Sequence, residues 1–338
     1  MRRPSACCTA FPTSGSAGDD SSPASCRSQS PAHLRCLTRV PSIRASLRAH
    51  SHCLCLPDSN AHTVSQAGYR VICPDMRGYA ASSKPAGIEN YSEMAITGDV
   101  DALRKHFCGA DGAFELLVGH DWGAAAAWGT MSWYPTLAKK LAILNVPHPK
   151  RFAAGLSTPQ QLLKSWYVFA FQPPAIAEAG FAALNGELVR RVFTVDPDTP
   201  LEAWELDRYV EAASSGGMTG AINWYRAAGA GLWPANMPSV PAPLLEVIQA
   251  MQGVQGKLPA PPQGRLRSDV IECPVMILWG KRDPYLGQEL ARPPPGAVPD
   301  LRLHFLDATH WVHWDQHEAV TDYLLAFLKD VAAPNPLD

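Results

Sequence analysis

No run of eighteen consecutive apolar residues occurs in this 338-residue chain, so no segment reads as a membrane-spanning helix. The apolar stretch around residues 166–171 is cut short by Pro173 and Pro174. Charge of one sign is also missing. Lys and Arg (29) nearly balance Asp and Glu (31), for a net charge of −2, and no basic stripe is present. That argues against a nucleic-acid partner and against an anionic membrane surface. Cysteine pairs at zinc spacing are absent, and Cys53-Leu-Cys55 alone does not make a metal site. There is no internal repeat. Six of the nine cysteines (Cys7, Cys8, Cys26, Cys36, Cys53, Cys55) lie in the first 55 residues, leaving Cys73, Cys108 and Cys273 scattered over the rest. That usage suits a reducing compartment and a cytoplasmic location. Hydrophobic residues are plentiful at 46%, enough for one large α/β domain carrying an inserted subdomain.

The texture changes near residue 62. Residues 1–50 carry seven arginines against two acids, Asp19 and Asp20, with much Ser, Ala and Pro and no clear period. Residues 1–62 are read either as an irregular or disordered leader, real or an artefact of the gene model, or as an organelle transit peptide, which has this composition. From there strands and helices alternate. Residues 69–74, 114–118 and 141–146 are short apolar runs with strand character, and residues 92–107 and the Ala-rich stretch to Trp133 read as helices. The pattern resumes with strands at 274–279 and 301–305 and a closing helix from 315 or 316 to 328. Such alternation implies a mostly parallel sheet flanked by helices. Residues 63–150 and 245–333 are assigned to this core. Residues 151–244, helical and aromatic in texture, are assigned to an inserted helical cap. Within it Thr158-Pro159-Gln-Gln161 predicts a helix start, with Thr158 as cap, Pro159 at the first position and Gln161 as the capping-box partner.

The sharpest chemical signal is Gly119-His120-Asp121-Trp122-Gly123, directly after a strand and before a helix. A glycine-flanked turn of this kind holds its central side chain above the sheet, and the following helix aims amides at it. Here the central residue is Asp121, so the nucleophile is a carboxylate that is already ionised at neutral pH. Attack on carbon by a carboxylate leaves an ester, and its hydrolysis needs a base with an acid partner, in chain order nucleophile, acid, histidine. Asp283, after the strand ending at Trp279, and His310, after the strand ending at Phe305, stand where open α/β sheets bind ligands. His313 and His317 are the competing histidines. His313 reads as a loop neighbour of the site and His317 as a residue of the closing helix.

Taken together, Gly119-His-Asp-Trp-Gly123, Asp75-Met-Arg-Gly-Tyr79 with Ser82-Ser-Lys-Pro85, Asn145-Val-Pro-His-Pro149, Leu278-Trp-Gly-Lys-Arg-Asp283-Pro284 and Thr309-His-Trp311 resemble the epoxide hydrolases of the α/β-hydrolase fold over about residues 53–330. Haloalkane dehalogenases share the Asp-Trp elbow, so the cap must discriminate. The epoxide hydrolase resemblance implies two cap tyrosines that hydrogen-bond the epoxide oxygen. Tyr167 in Ser165-Trp-Tyr167 and Tyr225 in Asn223-Trp-Tyr225-Arg226 match those positions. Taken alone, each would equally fit packing in an aromatic cap that also holds Tyr209. The implied activity is conversion of an apolar small-molecule epoxide to a diol, with no metal or organic cofactor, and with Trp122, Trp166, Trp224 and Phe171 lining the pocket. One departure stands out. The resemblance implies an His-Gly-x-Pro turn supplying an oxyanion donor, yet the chain reads His52-Cys-Leu-Cys-Leu-Pro57, and the strands that should precede it are hard to find in residues 1–50. Two alternatives therefore stay open: a dehalogenase using the same Asp and His, and a catalytically impaired homologue.

Overall fold

A computed structural model describes residues 33–39, 58–80, 82–183, 187–195, 198, 201–212, 218–232 and 267–332. In chain order its main elements are β1 (His33–Arg39), α1 (Asp58–Gln66), β2 (Tyr69–Ile72), α2 (Glu93–Cys108), β3 (Leu116–His120), α3 (Trp122–Trp133) and β4 (Leu141–Leu144). Among the described residues seven helices follow: α4 (Pro149–Gly155), α5 (Pro159–Lys164), α6 (Trp166–Ala170), α7 (Ile176–Ala183), α8 (Glu187–Val195), α9 (Ala203–Ala212) and α10 (Met218–Leu232). The chain then returns through β5 (Val275–Gly280), β6 (Leu301–Leu306), α11 (Val312–Asp315) and α12 (His317–Lys329).

The strands form one sheet in the order β2-β1-β3-β4-β5-β6. From β3 to β6 every pairing is parallel. β3, β4 and β5 are buried along their whole length, as continuous apolar strands covered on both faces must be. Successive side chains divide between the faces. Leu117, Ile143 and Ile277 join Val100, Trp128 and Met131 on one side. Leu116, Val118, Ala142, Leu144, Met276 and Leu278 join Val320, Tyr323, Leu324 and Phe327 of α12 on the other.

Residues 1–62 are not irregular throughout. His33–Arg39 forms β1, which runs antiparallel to both β2 and β3, and α1 already begins at Asp58. His-Leu-Arg-Cys-Leu-Thr-Arg has neither strict alternation nor an unbroken apolar run, so its strand pairing leaves no mark in local sequence. Partners on both sides supply what its own pattern lacks.

The cap helices lie between β4 and β5. α10 seats on the core by backbone contact. A Cβ on Gly220 would come within 2.6 Å of Gly78 Cα, and one on Gly78 within 2.9 Å of the Gly220 carbonyl carbon. Gly78 also has φ +87°, a region open to glycine at little cost. Beside this contact the Trp224 indole N–H donates to the Arg77 carbonyl (2.9 Å). Arg77 is itself forked onto Asp99 at 2.5 and 2.6 Å. Within the cap, buried Arg226 donates to both oxygens of Glu178 and to the carbonyls of Phe171 and Pro173. α10 is thereby fixed to the turn after α6 and to α7.

Candidate active site

Asp121 sits at the junction of β3 and α3 with φ +49° and ψ −128°, a conformation that costs a non-glycine residue on the order of 1–3 kcal/mol. The turn is forced by proximity. A Cβ on Gly119 would meet Ala124 Cα and the Gly123 carbonyl oxygen at 2.5 Å, so α3 approaches β3 as only glycine permits. Although Asp121 holds the N-cap position, its side chain makes no capping hydrogen bond. The carboxylate projects instead toward His310, whose Nε2 lies 3.4 Å from Asp121 Oδ1.

His310 Nδ1 donates to Asp283 Oδ2 at 2.7 Å. The other Asp283 oxygen accepts the backbone N–H groups of Tyr285 (2.8 Å) and Leu286 (2.9 Å), so this carboxylate is held on both sides. A further partner was quoted in the sequence only as part of a motif. Asn145 is fully buried, with φ +53°. Its Nδ2 donates to Asp283 Oδ2 at 2.8 Å and its Oδ1 accepts the Gly280 N–H at 2.9 Å. No periodicity or spacing marks such a residue. The one available signal is an asparagine just past a buried strand, where the left-handed region suits it.

The electrostatics follow from this packing. Enclosure alone would favour neutral Asp121, but the hydrogen bond and charge of His310, with smaller help from His120 and the Trp122 N–H, hold its carboxyl below the usual range. Burial alone would likewise keep His310 neutral. The Asp283 and Asp121 carboxylates outweigh burial and push it up to about 10. At neutral pH these influences favour an ionised Asp121 beside a protonated His310. His120 supports it from behind, its Nε2 lying 2.8 Å from the His310 carbonyl oxygen. His313 is buried with its ring 4.2 Å from that of His120, so it stands behind Asp121, His310 and Asp283. His317 begins α12 on the surface, near Glu318.

Facing the carboxylate is an aromatic group from the cap. Tyr167 and Tyr225 have ring centroids 6.0 Å apart. Phe171 packs edge-on against both, at 6.0 and 4.9 Å. Trp122 meets Tyr225 edge-on at 4.7 Å. Burial, reinforced by Tyr225 and by the negative charge of Asp121, drives Tyr167 far above the ordinary phenol range. Burial and then Asp121 do the same to Tyr225, with the Trp122 side chain hydrogen-bonding its oxygen and opposing the rise. Both phenols thus keep their protons and can donate them. Tyr285, unremarked in the sequence, places its ring 5.5 Å from Tyr167 and 5.4 Å from His310.

Two expected lining residues stand elsewhere. Trp166 is 65% exposed. In α6 successive residues diverge by about 100°, so turning Tyr167 inward turns its neighbour out. Trp224 is 1% exposed, packs against Tyr79 and Trp122 and donates its N–H to the Arg77 carbonyl. The segment where the His-Gly-x-Pro turn was sought, residues 52–57, lies outside the described residues. Among the described residues, no cluster of His, Cys, Asp or Glu is arranged to hold a metal ion, and no helix is long and apolar enough to cross a membrane.

Comparison with known proteins places this geometry in context. The pattern of the alpha/beta hydrolase fold matches residues 50–316. The AB hydrolase superfamily protein YfhM of Bacillus subtilis (strain 168) is 31% identical over 268 residues, covering 78% of this chain and 82% of that protein. Human epoxide hydrolase 4 is 29% identical over 276 residues, covering 78% of this chain and 66% of that protein. Among solved structures, an epoxide hydrolase from Bacillus megaterium with its bound product superposes with a TM-score of 0.62 at 22% identity, covering 80% of this chain and 87% of that one. An epoxide hydrolase from hot-environment metagenomes gives 0.60 at 26% identity, covering 80% and 86%.

Proposed function

The chain belongs to the alpha/beta hydrolase fold family, and from that premise we propose that it opens an epoxide with water to give a vicinal diol. The observation that carries this reading is the carboxylate of Asp121 on the elbow with the two cap phenols Tyr167 and Tyr225, rings 6.0 Å apart, gathered beside it against Trp122, where burial favours their protonated form. The reaction needs both: a nucleophile for carbon, and a proton for the oxygen that departs from it.

The steps close on themselves. An oxygen of Asp121 attacks one epoxide carbon. The C–O bond breaks, and the ring oxygen takes a proton from Tyr167 or Tyr225, leaving a hydroxyalkyl ester and a phenolate. Esterification removes the Asp121 charge and its hydrogen bond to His310, two of the influences that hold the imidazolium proton. That proton restores the phenol. His310, now neutral and oriented by Asp283, takes a proton from water. The hydroxide adds to the ester carbonyl, the bond between that carbon and the substrate oxygen breaks, and the added hydroxyl gives its proton to the departing alkoxide. The diol leaves with Asp121 again a carboxylate and His310 again protonated, so every group regains its starting state. The Trp122 N–H, which points at the Asp121 carboxyl, supplies one oxyanion donor.

A haloalkane dehalogenase would use the same Asp121 and His310 but would need the Trp122 indole for halide. Here the Trp122 side chain is engaged with Tyr225, which favours the epoxide. One turnover in heavy-oxygen water tests the scheme. The label is expected in the Asp121 carboxyl group and absent from the first diol released. Label entering that diol directly would overturn the ester, halide release without diol would replace the substrate, and an inert full-length chain would favour an impaired homologue.

A further inference from the structure

Gln161 has no role in the chemistry just described, yet it is fully buried and every polar group of its side chain is used. Its Nε2 donates to Ser165 Oγ at 2.8 Å and to the Tyr285 carbonyl at 2.8 Å. Its Oε1 accepts the Gly287 N–H at 3.0 Å. The capping box expected from Thr158-Pro-Gln-Gln161 is only half made. Thr158 Oγ1 does accept the Gln161 N–H, but the Gln161 amide does not turn back to the helix start. It crosses from cap to core.

Its destination matters. Residues 283–287 form the turn whose N–H groups at 285 and 286 hold one oxygen of Asp283. Gln161 grips the same turn from outside, at the 285 carbonyl and the 287 N–H. One helical turn on, Lys164 Nζ donates to the Asp283 carbonyl at 3.0 Å. Three hydrogen bonds from α5 thus close on the five-residue turn that aims the acid at His310. A buried amide with all its partners is costly to disturb, because each group left behind loses a bond that water cannot replace.

We propose that Gln161, assisted by Lys164, is a positioning residue for the second half-reaction: it locks the Asp283 turn so that His310 is correctly aimed at the hydrolytic water. This rests on the ester mechanism above. Alkylation is affected less, because Asp121 stands on the elbow, Tyr225 is seated on another helix, and the stretch bearing Tyr167, which Gln161 reaches through Ser165, has further holds of its own. Tyr225 is held through the Gly78–Gly220 contact. The stretch bearing Tyr167 is held by Gln172, which bonds the Val168 and Tyr225 carbonyls, and by Arg226 on the Phe171 carbonyl.

The test uses Gln161→Leu and Lys164→Met in the full chain with styrene oxide, measuring steady-state kinetics and the intact mass of quenched enzyme. With hydrolysis slowed selectively, kcat of Gln161→Leu falls about tenfold or more and KM falls with it, while kcat/KM stays within about threefold of the parent. The ester builds up on Asp121 during turnover. Lys164→Met moves the same quantities in the same direction by less. A parallel loss of kcat and kcat/KM, no build-up of ester, or unchanged kcat in both variants would overturn the assignment. If Gln161→Leu does not fold, the Lys164→Met result decides in the same terms. A parent enzyme that forms neither ester nor diol speaks instead against the mechanism beneath it.

Discussion

Tyr225 feels three influences at once: enclosure, the charge of Asp121 and the Trp122 side chain at its oxygen. On the proposed scheme, removing its hydroxyl leaves Tyr167 as sole donor. Tyr225→Phe is expected to lower kcat/KM by about a hundredfold, and a stopped-flow measurement of ester formation should show the loss in alkylation rather than in hydrolysis. An unchanged alkylation rate would remove the phenol from the chemistry. Asn145→Ala acts on the other partner. It strips one donor from Asp283 and leaves the buried Gly280 N–H without its acceptor, costing about 1–3 kcal/mol of stability, readable by chemical denaturation. The residues proposed to carry the reaction were legible in the sequence because their motifs are local, as with Asp121 between its glycines and His310 after its strand. Asn145 and Gln161 were not legible as site residues. Each works through partners more than a hundred positions away, and chain spacing carries no trace of that.

At the scale of elements, the seating of α10 is the most exposed to a single atom. Gly220→Ala places a methyl group 2.6 Å from Gly78 Cα, so either helix or loop must retreat. The expected outcome is a loss of about 1–3 kcal/mol in stability and a fall in kcat/KM, because Tyr225 moves with the helix. Melting temperature and alkylation rate together check it, and a variant unchanged in both would show that the contact tolerates the methyl. The alternation of apolar runs located β2 to β6 to within a few residues, since buried parallel strands have few other ways to read. It did not locate β1, whose pairing is decided by neighbours. The inward and outward faces of α6 were also invisible. One turn of helix is too short to show a period, so Trp166 was expected to line the site beside Tyr167 and is exposed instead.

For the whole molecule the charged pair of Asp121 and His310 couples stability to pH. His310 is raised from an ordinary 6.5 to about 10 in the folded state. The stabilisation it provides is complete below pH 6.5, where folded and unfolded chains alike hold the proton, and is lost as pH climbs through 10. Melts collected across that interval should therefore fall more steeply for the parent than for His310→Gln, which has nothing to titrate there. Parallel curves would mean that the imidazolium is not present at rest. The overall plan of sheet, elbow and inserted cap was readable from sequence because each layer declares itself by periodicity. The relation between cap and core was not, because it passes through two glycines and a few carbonyls. That seam has a practical side. Where two bodies meet backbone to backbone, the residues around the pocket are free to change without tilting the parts that do the chemistry. A search for new substrate preferences should therefore randomise positions such as Phe171 and leave Gly78 and Gly220 alone.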